Sequence, residues 1–221
     1  MPRPQLSTDA LDAMRQRLVS AALDLYRSEG LDAISLRRIA DATGISHTLP
    51  YRYFEHKEAL LAALRAECTQ RFERFVRECE DLASPPVPRM RAVAAAYIEF
   101  VREYPDEYQL MFSTHQPPPD QYPELLAARR SLFDHAVELV QAGIDGGDLT
   151  GDARTIAHLF WVSLHGLMTL YVGGQLVHGR SLEDLAEPLV ARMLGQELMT
   201  HLPVPRRAVV ALAPRRRKST T

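Results

Sequence analysis

Apolar residues recur along this chain every three or four positions, the spacing that lines one face of an α-helix, and proline and glycine cut the pattern into segments. Leu11, Met14, Leu18, Ala22 and Leu25 mark a first helix over residues 8–28, which Gly30 closes, after a flexible arm over residues 1–7. Leu60, Leu64, Cys68, Phe72, Phe75, Cys79 and Leu82 form one stripe on a long helix from about 56 to 82, ended by Ser84-Pro85-Pro86-Val87-Pro88, the clearest internal boundary. No Ser, Asp or Asn stands at the start of that helix, so its first residue is not fixed. Further helices are expected over 89–104, 105–113, 123–143, 152–172 and 182–201. A stiff Pro117-Pro118-Pro119 connection and an Asp145-Gly146-Gly147-Asp148 turn lie between them. No stretch alternates long enough for a sheet, which makes the chain all-α.

Residues 35–57 read as two short helices around a tight turn. Ser35 caps the first, because its hydroxyl accepts from an otherwise unpaired backbone N–H. Ile39 and Ala40 face inward, and Ala40 is small enough for a second helix to cross nearby. Gly44 supplies a left-handed stop, Ile45 enters the core and Ser46 caps the second helix. A helix pair crossing at a glycine-bearing turn is the helix-turn-helix, whose second helix enters the DNA major groove.

Ser35, Arg37, Ile39-Ala40, Gly44-Ile45-Ser46, Tyr51-Arg52-Tyr53-Phe54 and Lys57-Glu58 stand at the spacing of the TetR family of bacterial transcriptional regulators, which this stretch resembles. With the preceding helix, the resemblance covers about the first third of the chain. Pro50 and Leu49 depart from the family pattern, which more often has leucine and threonine there. Proline is tolerated near a helix start, so an altered first turn is expected rather than a broken helix. Trp161, His165 and Gly166 are similar to a Trp…His-Gly signature of one C-terminal subclass.

The resemblance implies a division into a DNA-binding unit over residues 8–56, a ligand-binding and dimerisation domain over 57–202, and a basic tail over 203–221. It assigns Arg37 to a guanine edge and His47, Thr48 and Leu49 to base edges. Tyr51, Tyr53 and Lys57 match phosphate contacts, Arg52 falls between base and phosphate, and Ser35 and Ser46 belong to the same DNA-binding set besides capping their helices. Tyr53 is also a core candidate, and Phe54 is chiefly one. The partner is then a palindromic double-stranded operator. The last two helices pair with their copies in a homodimer, and a small apolar or amphipathic effector releases the DNA. Candidate effector contacts are Phe100, Tyr104, Tyr108, Met111, Phe112, Phe133, Trp161 and His165, each also a candidate for plain core. A DNA binder without a ligand, and an activator, stay open as alternatives.

Composition bounds these readings. The 221 residues carry 46% hydrophobic and 24% charged side chains, ordinary for a globular protein. Net charge is −2, but six Lys or Arg and no acid follow Pro203. That leaves 20 basic against 28 acidic residues before it, a net of −8. An acidic body suits sequence-specific binding if the reading face is locally basic, and Arg37, Arg38, Arg52 and Lys57 would supply that face. The tail, with three prolines, reads as disordered. No apolar run of membrane length and no apolar leader are apparent, so a cytoplasmic protein is expected.

The helix from Asp152 is apolar nearly all round, through Ile156, Leu159, Phe160, Trp161, Leu164, Leu167, Met168, Leu170 and Tyr171. Such a helix packs on two sides. Leu182, Leu185, Leu189, Met193, Leu194 and Leu198 give the next helix a matching stripe. Cys68 and Cys79, eleven residues apart, are about 16 Å apart along one helix, too far to bond; two small buried side chains are expected. His158 and His165 share a face but lie about 10 Å apart, too far to chelate one metal together. With no nucleophile elbow, phosphate loop or Cys-x-x-Cys, neither an enzyme, a metal site nor a cofactor is expected.

Overall fold

The structure is a computed structural model describing residues 7–113, 116–118 and 120–195. Among them are eight α-helices: α1 (Thr8–Glu29), α2 (Leu36–Thr43), α3 (Lys57–Glu78), α4 (Pro86–Glu103), α5 (Pro105–Phe112), α6 (Pro123–Asp145), α7 (Ala153–Val172) and α8 (Leu182–Met193). No strand occurs among the described residues. Most starts are set by side chains that answer the unpaired N–H groups of a first turn. Ser7 accepts from Ala10, Ser35 from Arg38 and Asp152 from Thr155, while Ser181 and Asp184 form a reciprocal capping box. His56 takes this role for α3, its Nδ1 accepting from the Ala59 amide at 3.1 Å. That is the cap the sequence appeared to lack.

α1, α2 and the start of α3 form the N-terminal unit around Leu18, Ala22, Ile34, Ile39 and Leu60. Gly44 stops α2 at φ 66°, the left-handed region where a side chain would crowd the backbone. Arg17 donates to the Thr43 carbonyl at 2.5 Å, a cation placed at the negative end of α2.

Several boundaries and faces differ from expectation. α3 ends at Glu78, so Cys79 and Leu82 (75% exposed) leave the stripe, and Leu11 is exposed near the start of α1. Cys68 is buried as expected, with its thiol pushed up to about 12 by burial and the carboxylates nearby, which keeps it protonated and unreactive. α4 starts at Pro86, three residues early, since proline fits a first helical position. Leu194 is in a turn after Met193; Leu198 and the basic tail lie outside the described residues.

α3 connects the two halves. Residues 60–66 of α3 are all buried, packed by the N-terminal unit, α4, α5 and α6. Ala62 and Ala66 meet Leu125 and Ala128 of α6, small side chains that let the two helices approach closely. One core runs from Leu18 through Leu64, Phe72 and Phe100 to Leu164 and Met168. α7 buries Leu164, Leu167 and Met168 but leaves Leu159, Val162, Leu170 and Tyr171 exposed. By length and composition alone α7 is apolar enough to cross a membrane, a test that a core helix also passes, and its inner stripe is packed against α4, α6 and α8.

Candidate DNA-reading surface and effector cavity

The segment after Gly44 differs most from expectation. It winds as turns through 47–49 and a 3-10 helix at Pro50–Arg52 rather than as a capped α-helix. In an α-helix the amide of residue 50 would bond the Ser46 carbonyl, and proline has no such hydrogen. The Leu49 amide takes that carbonyl instead, at 3.0 Å, and Arg52 and Tyr53 continue the three-residue step. Pro50 is itself fully buried, which fixes this winding. Ser46 does not cap: its hydroxyl lies 3.3 Å from that of Thr48.

Most of the side chains expected to read DNA are nevertheless open to solvent. Arg37, Ser46, His47, Thr48, Tyr51 and Arg52 are exposed, and Ser35, Leu49, Tyr53 and Lys57 are half-buried. Phe54 is core, beneath the Arg15 guanidinium. Two expected cations are engaged. Arg38 forms a forked pair with Glu29 at 2.9 and 2.5 Å, and Lys57 donates to the Leu31 carbonyl at 3.2 Å. His47 Nε2 lies 2.6 Å from Asp41 Oδ1, so one acid sits within the patch. Arg37 and Arg52 have no carboxylate partner among the described residues.

The C-terminal half of α3 borders a cavity of about 570 Å³, a size suited to a small organic ligand. Phe72 and Val76 of α3, Met90 and Tyr97 of α4, the end of α5, and long faces of α6 and α7 line it. Met111, Phe112, Phe133, Trp161 and His165 line it as the sequence suggested. Phe100, Tyr104 and Tyr108 do not. Phe100 is fully buried against Phe72, Phe75 and Tyr104, and Tyr104 lies under the Arg71 guanidinium. Tyr108 stands behind the wall, its hydroxyl 2.7 Å from His165 Nδ1 and accepting from Tyr97. It orients the imidazole rather than meeting a ligand.

Helical period could not separate these aromatic residues, since all sit on inward faces. It also missed the polar lining. Arg129, Gln116, Thr69, His135 and His158 reach the cavity among apolar neighbours. His135 sits against the buried Glu80, which Arg89 also holds.

Burial lowers both His135 and His165 from the ordinary 6.5, although Glu80 opposes the effect at His135. The folded chain therefore binds fewer protons there than the unfolded one. Stability is full above about pH 6.5 and falls as the pH drops through that value toward the depressed folded values. Thermal unfolding is expected to have a lower midpoint at about pH 5.5 than at about pH 7.5. His165→Gln should narrow the difference, and an unchanged difference would contradict this origin.

Two families match this chain. Residues 18–64 match the family described as bacterial regulatory proteins, tetR family, and residues 90–193 a tetracyclin repressor-like C-terminal domain. The HTH-type transcriptional regulator RutR of Escherichia coli O157:H7 is 27% identical over 178 residues, 79% of this chain and 83% of that protein. The HTH-type transcriptional repressor Rv1474c of Mycobacterium tuberculosis is 34% identical over 68 residues, 31% of this chain and 36% of that one. A solved protein of unknown function from Rhodococcus sp. RHA1 superposes with a TM-score of 0.72 at 26% identity, over 88% of this chain and 97% of its own. The fatty acid degradation regulator FadR of Bacillus halodurans shares the fold, with a TM-score of 0.65 at 17% identity, over 87% and 97%. A glycine-stopped short helix followed by a tight turn, one long helix after it and a cavity between the C-terminal helices agree with both matches, and the chain belongs to the TetR family of DNA-binding transcriptional regulators.

Proposed function

We propose that the protein is a homodimeric repressor that leaves a palindromic operator when a small molecule fills the cavity. The observation that carries this reading is the position of α3, whose N-terminus carries the reading unit and whose Thr69, Phe72 and Val76 form a wall of the cavity. In this reading, residues 8–56 contact DNA and 57–202 bind the effector and the second copy. Arg37, His47, Thr48 and Leu49 reach base edges, Tyr51, Tyr53 and Lys57 reach phosphates, Arg52 reaches a base or a phosphate, and Ser35 and Ser46 support them. The exposed Leu159, Val162, Leu170 and Tyr171 on α7 support pairing of α7 and α8 with their copies, because an apolar patch of this kind marks an interaction surface. An effector shifts the equilibrium only by its difference in affinity for the two arrangements.

A route from cavity to reading unit runs through α5. Its Met111 and Phe112 line the cavity, and one turn earlier Glu107 is held by Arg27 of α1 and Arg71 of α3. Movement of α5 thus pulls on α1 and α3 together.

Fluorescence polarisation with DNA upstream of the gene tests the reading half. Arg37→Ala is expected to cost about 1–3 kcal/mol on specific DNA and relax base preference, whereas Lys57→Ala weakens all sequences alike. Equal losses on specific and random DNA for Arg37→Ala would remove its reading role. Small molecules that stabilise the protein to heat without releasing the DNA would exclude the switch.

A further inference from the structure

The cavity lining is uneven in charge. No aspartate or glutamate lines it, yet one guanidinium does, that of Arg129 on α6. Among the described residues Arg129 has no carboxylate within ion-pair reach; its partner is the neutral Gln116 side-chain carbonyl. Arg129 is half-buried, and burial lowers its pKa; Arg65 on α3 is lowered by burial and then by the Arg129 charge. A partly desolvated cation with only a neutral acceptor is costly, and a forked carboxylate is its best complement.

The rest of the lining sets the shape. From Arg129, the α6 wall continues through Leu132, Phe133, Ala136, Leu139 and Val140, with His135 the one other polar side chain that α6 contributes. These eleven steps of helix extend about 16 Å. The cation therefore stands at one end of a long apolar trough.

We infer that the cavity's ligand is an organic acid with an extended apolar body, its carboxylate forked on Arg129 and its chain lying along α6. This rests on the cavity being the effector site and names the chemistry it selects. The incoming carboxylate takes the place of the Gln116 carbonyl. Gln116 also donates to the Met111 and Ser113 carbonyls at 3.1 and 2.9 Å, so displacing it loosens the end of α5. A cation would meet Arg129 with no acid to offset it.

Isothermal titration of the full chain with decanoate, laurate and myristate, and with lauryl alcohol and laurylamine, tests this below micelle-forming concentrations. At least one acid is expected to bind ten times or more tighter than the alcohol, with the amine weakest. Arg129→Gln should abolish the preference for acid and leave alcohol binding unchanged, and Arg129→Lys should keep part of it. Without ligand, Arg129→Gln should melt no lower than the parent, because an uncompensated charge has been removed. Equal binding of acid and alcohol, no binding by any acid, an undiminished preference in Arg129→Gln, or its melting lower would each overturn the inference. Polarisation on upstream DNA separates it from the switch. An acid that binds through Arg129 without releasing DNA leaves the inference standing and the switch refuted; release by a neutral compound when no acid binds does the reverse.

Discussion

Changing Arg27 and Arg71 together to glutamine is expected to cost about 3–5 kcal/mol of stability, more than Glu107→Gln alone. The asymmetry follows from exposure. The Glu107 side chain is 1% exposed, whereas Arg27 and Arg71 keep 37% and 36% of theirs. Removing the acid leaves two guanidinium groups that can turn to water, a loss of about 1.5–3 kcal/mol from charge-assisted hydrogen bonds. Removing both arginines strands a carboxylate in the core, and its Oε2 already has no hydrogen-bond partner among the described residues. Urea unfolding of the variants at one fixed protein concentration measures this, since association also contributes. The triple variant, with Glu107→Gln added, should recover most of the loss. Equal costs for removing acid and bases would contradict the buried-charge account. Because the triad joins α1, α3 and α5, Glu107→Gln should also weaken effector release of DNA more than it weakens DNA binding itself.

Phe100→Ala should likewise cost about 3–5 kcal/mol, the range for emptying a large aromatic site in a packed core. Its ring lies 4.7 Å from that of Phe72, 5.5 Å from Phe75 and 5.1 Å from Tyr104, centroid to centroid, and it is fully buried. None of it lines the cavity, so effector affinity of the folded protein should change little. Phe133→Ala gives the contrast, since that ring is half-buried and faces the cavity. It should alter effector affinity with a smaller loss of stability. Paired melting and titration of both variants checks the difference. Loss of effector affinity in Phe100→Ala at unchanged stability would return that residue to the binding site.

The two aromatics show how far the sequence was legible. Both lie on inward helical faces, and periodicity reports inwardness without saying whether the neighbouring space is filled. The 3-10 winding after Gly44 was half legible, because Pro50 announced a missing N–H. That the ring would be buried, holding three-residue winding through Arg52, depended on packing. The failed stripe at Cys79 and Leu82 has a similar cause: apolar spacing continued beyond Glu78, but the helix did not.

By itself the sequence determined the class of fold, the order of the helices, and the start of α2 at Ser35 with its stop at Gly44. Caps and left-handed glycines act within four residues of themselves, so neighbours along the chain suffice. Only the tertiary structure decided that Glu107 would hold Arg27, 80 positions away, that Tyr108 would orient His165 across 57, and that Arg129 would face an apolar trough without an acid. Those outcomes depend on which helix faces cross and what space is left between them, and local spacing carries no record of either.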